Sequence, residues 1–208
     1  GSIATREADG TVYTHAGPEI GVASTKAFTA QLVALHLLAL YLAQIRGALS
    51  AKTMAQHLEH LNQLPRLIEQ ALKCDQVIQV VAQQFSAYRN FLYLGRGINY
   101  PIALEGALKL KEVSYIHAEG FPAGEMKHGP IALVDSKIPI VALLPGGQVF
   151  EKMTANVQEA RTRGGVVIAL TDDTPSDIES LIGPSRDALI TVPTSPPLLT
   201  PIIMVIPL

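Results

Sequence analysis

"NFLYLGRGINYPIALEGALKLKEVSYIHAE", residues 90–119, decides how this chain folds. It opens on a short continuous apolar run that ends at Gly95 and Gly97. Such a run, stopped by glycine, reads as a strand buried on both faces. Ala, Leu, Ile and Val then recur at helical spacing from about residue 100 to 117. A buried strand, a tight glycine turn and a helix make half of a βαβ unit.

The same alternation continues toward the carboxyl end. "IPIVALLPGG" (138–147), "VVIALTDD" (166–173) and "DALITVP" (187–193) read as three more buried strands. Between them, "VFEKMTANVQEARTRGG" (149–165) reads as an amphipathic helix with Arg161 and Arg163 near its end and Gly164 as its stop. "SDIESLI" (176–182) reads as a short helix opened by a Ser-x-x-Glu cap. Residues 197–208 begin a final apolar helix. From about residue 75 onward this pattern predicts an α/β fold: a doubly wound parallel sheet flanked by helices. Sheets of this kind take ligands beyond the carboxyl ends of their strands, so "LGRG" and "LLPGG" are candidate ligand edges.

Toward the amino end the pattern is helical. Residues 25–46 read as one long apolar helix, and 50–73 as a helix broken or kinked by Pro65. A further helix is predicted over 75–88. "TVYTH" (11–15) is the one strand candidate there. Residues 27–45 hold no Asp, Glu, Lys or Arg, which is long enough to cross a bilayer. Thr29, Gln31, His36 and Gln44 within them favour a helix buried in a core or a subunit interface.

Composition narrows the function. The chain has 208 residues, 48% hydrophobic and only 16% charged, with net charge −2. That gives no electrostatic case for nucleic acid or for an anionic membrane. The lone cysteine, Cys74, excludes an internal disulfide and suits a reducing cytoplasm. It reads as a small hydrophobe on an amphipathic helix rather than a nucleophile.

Three clusters carry chemistry. Glu105, Lys109 and Glu112 fall at i, i+4 and i+7, one narrow stripe on an otherwise apolar helix. The stripe is either a solvated face tied by ion pairs, or two carboxylates flanking an ammonium in a cleft, able to serve as base and charge stabiliser. "AEGFPAGEMKHGP" (118–130) reads as a bent loop that gathers Glu119, Glu125, Lys127 and His128. A histidine in so glycine-rich a segment is exposed or in a cleft, where it can move protons near neutrality. His117, Glu119 and His128 lack metal-ligand spacing, and no metal or cofactor is called for. Ser24, Thr25 and Thr29 crowd the start of the long apolar helix, as caps or as donors to a sugar or phosphate. Gly95-x-Gly97 is either a tight turn or a phosphate cradle; the full dinucleotide fingerprint fails at Tyr100.

Three long motifs in order, "GPEIGVASTKAFTAQL", "LGRGINYPIALEGALKLKEVSYIHAE" and "AGEMKHGPIALVD", resemble the isomerase region of the glutamine–fructose-6-phosphate aminotransferase (glucosamine-6-phosphate synthase) family, of the bacterial type. The resemblance implies two sugar isomerase (SIS) domains: residues 1–72 as the carboxyl-terminal part of the first, and 73–208 as the second without its carboxyl-terminal tail. It implies transfer of glutamine-derived ammonia to fructose 6-phosphate and isomerisation to glucosamine 6-phosphate. On the matching positions, Glu112 is the base that moves the proton between C1 and C2, with Lys109 steadying the charge and Glu105 orienting Lys109 or the sugar. His128 assists ring opening across a dimer interface, at the neighbouring subunit's site. Val22 and Ser24 contact the sugar. The family's phosphate loop, its carboxyl-terminal lysine and its glutaminase domain have no counterpart in these residues, so the 208 residues alone are expected to be an inactive fragment. A related SIS phosphosugar isomerase or deglycase is the nearest alternative. A non-catalytic sugar-phosphate-binding regulator is the other, and it needs no general base.

Overall fold

The computed structural model describes residues 2–172, 178, 181–183 and 186–208. The chain forms two compact units, Gly1–Glu59 and His60–Leu208, which divide inside one helix. The capping start at Ser176 and Glu179 lies outside the described residues.

The first unit contains a short helix α1 (Ile3–Glu7), the long helix α2 (Lys26–Ile45) and the start of α3 (Ala51–Ala71). "TVYTH" forms no strand and is exposed. The apolar character of α2 is not matched by burial. Leu40 is its one buried residue, while Leu35, Tyr41 and Ile45 are each about 60% exposed. The expectation of a buried core helix therefore fails for the chain by itself, although α2 has the length and hydropathy of a membrane span. Helix α3 is not broken at Pro65. Pro65 lies on the exposed side, where water can take up the carbonyl it leaves unpaired, while Leu64 and Leu67 are buried.

The second unit holds the remainder of α3, α4 (Asp75–Phe85) and a five-stranded, wholly parallel sheet. The strands are β1 (Asn90–Gly95), β2 (His117–Pro122), β3 (Pro139–Leu144), β4 (Val166–Thr171) and β5 (Ala188–Thr191), in spatial order β2-β1-β3-β4-β5. The predicted sheet is thus present with one strand more than the sequence suggested. The first part of the supposed bent loop, residues 118–122, pairs with β1 in an edge strand that begins at His117, where the sequence suggested the end of a helix. Helix α5 (Tyr100–Ser114) joins β1 to β2, and α6 (Phe150–Thr162) joins β3 to β4. The chain leaves β1 toward one edge and β3 toward the other, so the strand order reverses between them.

Every residue of β3 and β4 is buried, as a sheet covered on both faces requires. Alternate residues divide the core. Leu92, Leu94, Ile140, Ala142, Val167 and Ala169 pack with Met153, Val157 and Ala160 of α6. Tyr93 points the other way, against Gly106 of α5, where an added Cβ would come within 2.8 Å of the ring. After Thr162, Gly164 takes φ +81° and turns the chain into β4, as its position predicts. A short helix at Thr200–Met204 follows β5 and is buried.

Candidate active site

The site begins with the turn after β1. Gly95 is required by close approach, because a Cβ there would sit 2.4 Å from the Asn99 carbonyl oxygen. Gly97 has φ +57°, the left-handed region that glycine enters freely. Both glycines are thus explained by the turn that launches α5. Pro101 stands in the first turn of α5, and Tyr115 closes the helix with φ +60° and an N–H donated to Lys111.

This placement puts Glu105, Lys109 and Glu112 on a flank of α5, beside the sheet-facing Ile102, Ala103, Gly106 and Ala107. Lys109 Nζ lies 2.6 Å from Glu112 Oε2 and 3.3 Å from Glu105 Oε1. The Glu105 and Lys109 side chains are each only 13% exposed, and Glu112 is 31% exposed. A solvated face would leave long charged side chains largely in water, so that reading does not hold. Burial pulls the Lys109 pKa down, but the hydrogen bonds to Glu112 and Glu105 outweigh it and leave the ammonium above its ordinary range. The lysine is therefore charged at neutral pH. Glu112 keeps its other oxygen free of hydrogen bonds among the described residues. A charged donor held between two carboxylates in a partly buried setting can steady negative charge on a neighbouring substrate.

His128 ends a 3-10 turn, Ala123–His128, that follows β2. Ala123 and Met126 are buried beneath it, and His128 is exposed. Among the described residues no hydrogen bond or ion pair joins His128 to the α5 stripe. Glu119, on β2, and Glu125 are exposed as well. Lys127 lies 2.7 Å from Glu159 of α6.

Val22 and Ser24 belong to the other unit. Val22 is 87% exposed and Ser24 half-buried, just before α2. The hydroxyls there do not cap the helix. Instead the Glu19 carboxylate accepts from Thr25 N (3.2 Å), Ala27 N (3.0 Å) and Thr25 Oγ1 (3.0 Å). The Ala27 hydrogen bond is the main reason that Glu19 is held below the ordinary carboxylate range. A negative charge already sits at this helix end, so a phosphate there would have to displace it.

Sequence reasoning missed Glu19, and it missed Arg96, whose Nη1 donates to Asn156 Oδ1 of α6 at 3.2 Å. The signal for Arg96 was its place inside Gly95-x-Gly97, at the carboxyl end of β1 where the strand order reverses. Cys74 is buried, and burial raises its thiol pKa, which suits the packing role expected of it. Among the described residues no group of three or more His, Cys, Asp or Glu side chains could hold a metal ion.

The SIS domain family matches residues 1–41 and 84–208. The whole chain is 50% identical to glutamine–fructose-6-phosphate aminotransferase [isomerizing] of Thermococcus kodakarensis, and 50% identical to the protein of that name from Thermus thermophilus. In each case it covers 34% of the relative, so it spans about a third of the length of these curated proteins. Among solved structures, the C-terminal domain of glucosamine-fructose-6-phosphate aminotransferase from Francisella tularensis superimposes with TM-score 0.91 at 42% identity, over 98% of this chain and 56% of that one. A putative phosphosugar isomerase of Clostridium difficile shares the fold at TM-score 0.74 and 19% identity, over 99% of this chain and 59% of that one.

Proposed function

This chain belongs to the SIS domain family, and on that premise we propose that it forms the isomerase part of a glutamine–fructose-6-phosphate aminotransferase. Residues 1–72 are then the carboxyl-terminal part of one SIS domain, and 73–208 a second. The substrate is fructose 6-phosphate with ammonia released from glutamine, and the product is glucosamine 6-phosphate. A glutaminase domain and a second copy of the subunit are the partners, in the cytoplasm.

The observation that carries this reading is the half-buried stripe Glu105–Lys109–Glu112. In the proposed reaction Glu112 removes a proton at C1 of the fructosimine intermediate and returns it at C2. The intervening enolamine carries developing negative charge beside the Lys109 ammonium. Glu105 fixes Lys109 in place. His128, exposed at the end of its turn, serves the ring opening of the incoming sugar, at the neighbouring subunit's site. Val22 and Ser24 contact the sugar, Val22 through its backbone. They meet its hydroxyls rather than its phosphate, because Glu19 already occupies the N-terminus of α2.

The test is Glu112→Gln in the protein that carries these residues. The substitution keeps the shape and the hydrogen bond to Lys109 but removes the base. Conversion should cease while fructose 6-phosphate still binds, measured by calorimetry. Turnover that survives would show that Glu112 is not the base.

A further inference from the structure

We propose that the Lys127–Glu159 ion pair is the device that positions His128, anchoring the turn that bears it to α6. The proposal rests on the reading of His128 as the ring-opening group.

The turn Ala123–His128 would be a poor platform on its own. It is short and 3-10 in form, and its last residue is exposed. The chain leaves it through Gly129 at φ +153° and ψ −60°, a conformation that side chains rarely adopt. What holds the turn comes from α6. Near its start the Arg96 guanidinium lies against Gly124, where an added Cβ would come within 3.0 Å of Nη1, and the same Nη1 donates to Asn156. In its middle Met126 is fully buried in the core that α6 covers. At its end Lys127 Nζ meets Glu159 Oε1 at 2.7 Å. Asn156 and Glu159 are three residues apart, on one face of α6, so the helix holds the end of the turn directly and supports its start through Arg96.

The ion pair is the grip adjacent to His128, and its chemistry makes it directional. Glu159 Oε2 is buried and accepts no hydrogen bond. The carboxylate is thus compensated through Oε1 and Lys127. Without the lysine, a carboxylate with one buried oxygen would be left without its counter-charge and would move toward water. The Lys127 side chain is 58% exposed, and its ammonium end is tied by that contact. The main chain of Lys127 continues into His128, so fixing one narrows the positions open to the other. A displacement of about 1 Å in a group that transfers a proton can cost up to about 100-fold in rate.

The experiment uses the protein that carries these residues, with fructose 6-phosphate and an ammonia source, and measures kcat and KM. Lys127→Met and Glu159→Gln are each expected to lower kcat about tenfold and to change KM less than about twofold. The exchanged pair, Lys127→Glu with Glu159→Lys, should recover most of the loss. His128→Gln is made alone and combined with Lys127→Met. If the ion pair acts through His128, adding Lys127→Met to His128→Gln costs nothing further. If the second substitution still lowers kcat about tenfold, the pair is merely structural and the proposal is overturned. It is also overturned if His128→Gln lowers kcat while Lys127→Met does not. A His128→Gln variant with unchanged kcat would instead remove the reading of His128 itself, and the positioning role with it.

Discussion

Gly95→Ala probes the joint that aims α5. The added Cβ would sit 2.4 Å from the Asn99 carbonyl oxygen and 2.8 Å from the Tyr100 Cα. Ordinary contact begins at 3.4 Å, so 3.4 − 2.4 = 1.0 Å must be opened. Every atom in the way is backbone, and no side chain can swing aside. Overpacking of this kind costs about 3 kcal/mol. Replacing glycine returns about 0.5–1 kcal/mol by restricting the unfolded chain. The net loss is about 2 kcal/mol, or about 4–8 °C in Tm for a chain of this size. Because Asn99 and Tyr100 begin α5, the shift is passed to Glu105, Lys109 and Glu112, and activity should fall by more than stability accounts for. Urea melts of wild type and variant measure the first effect, and kcat at a temperature where both are folded measures the second. Gly10→Ala is the control, since nothing lies within 4 Å of a Cβ there. A Gly95→Ala variant within about 0.5 kcal/mol of wild type would refute the claim that this turn fixes the helix.

Three further outcomes follow from the geometry. Asp187 is 3% exposed, accepts from Val167 N and Gly183 N, and pairs with Arg161; Asp187→Ala should cost about 3 kcal/mol in urea melts. Lys109 has a pKa raised above its ordinary 10.5, so its contribution is complete below pH 10.5 and fades as pH rises through the higher folded value. Melts between pH 10 and 11.5 should show that decline in wild type and a smaller one in Lys109→Met. His36 is shifted the other way, below 6.5, by burial first and by the charge of His57 second. Its contribution is complete above pH 6.5 and declines as pH falls toward the folded value, a loss that His36→Asn should reduce in melts between pH 7.5 and 5.

What the sequence made legible follows from what each residue contacts. Strands β1, β3 and β4 could be read because burial on both faces demands apolar runs, and their glycine or aspartate stops mark the carboxyl edge; β5, an edge strand with Leu189 half-buried and Thr191 exposed, could be read from its short apolar run alone. Strand β2 could not. "HAEGFP" carries Gly120 and Pro122, and as an edge strand it pairs with β1 alone. Gly120 is there because the α5 backbone at Leu104 approaches to 3.0 Å of where a Cβ would stand, a demand set by a residue sixteen positions away. The stripe on α5 could be read from spacing, but its burial could not, since no periodicity says what covers a helix flank. Lys127–Glu159 and Glu19–Ala27 join residues that do not share one helix or strand, so no periodicity predicts their contact. The exposed apolar length of α2 shows the reverse limit, because hydropathy describes a side chain and not its neighbours.

The central claim is that Glu112 moves a proton between C1 and C2 beside the Lys109 ammonium. Proton NMR in deuterium oxide tests it most directly, by following exchange of the C1 hydrogen of fructose 6-phosphate, with an ammonia source, in the protein that carries these residues. The account predicts that wild type exchanges that hydrogen, that Glu112→Gln binds the sugar phosphate without exchanging it, and that Lys109→Met exchanges it more slowly by about 100-fold. Exchange by Glu112→Gln at the wild-type rate would contradict it.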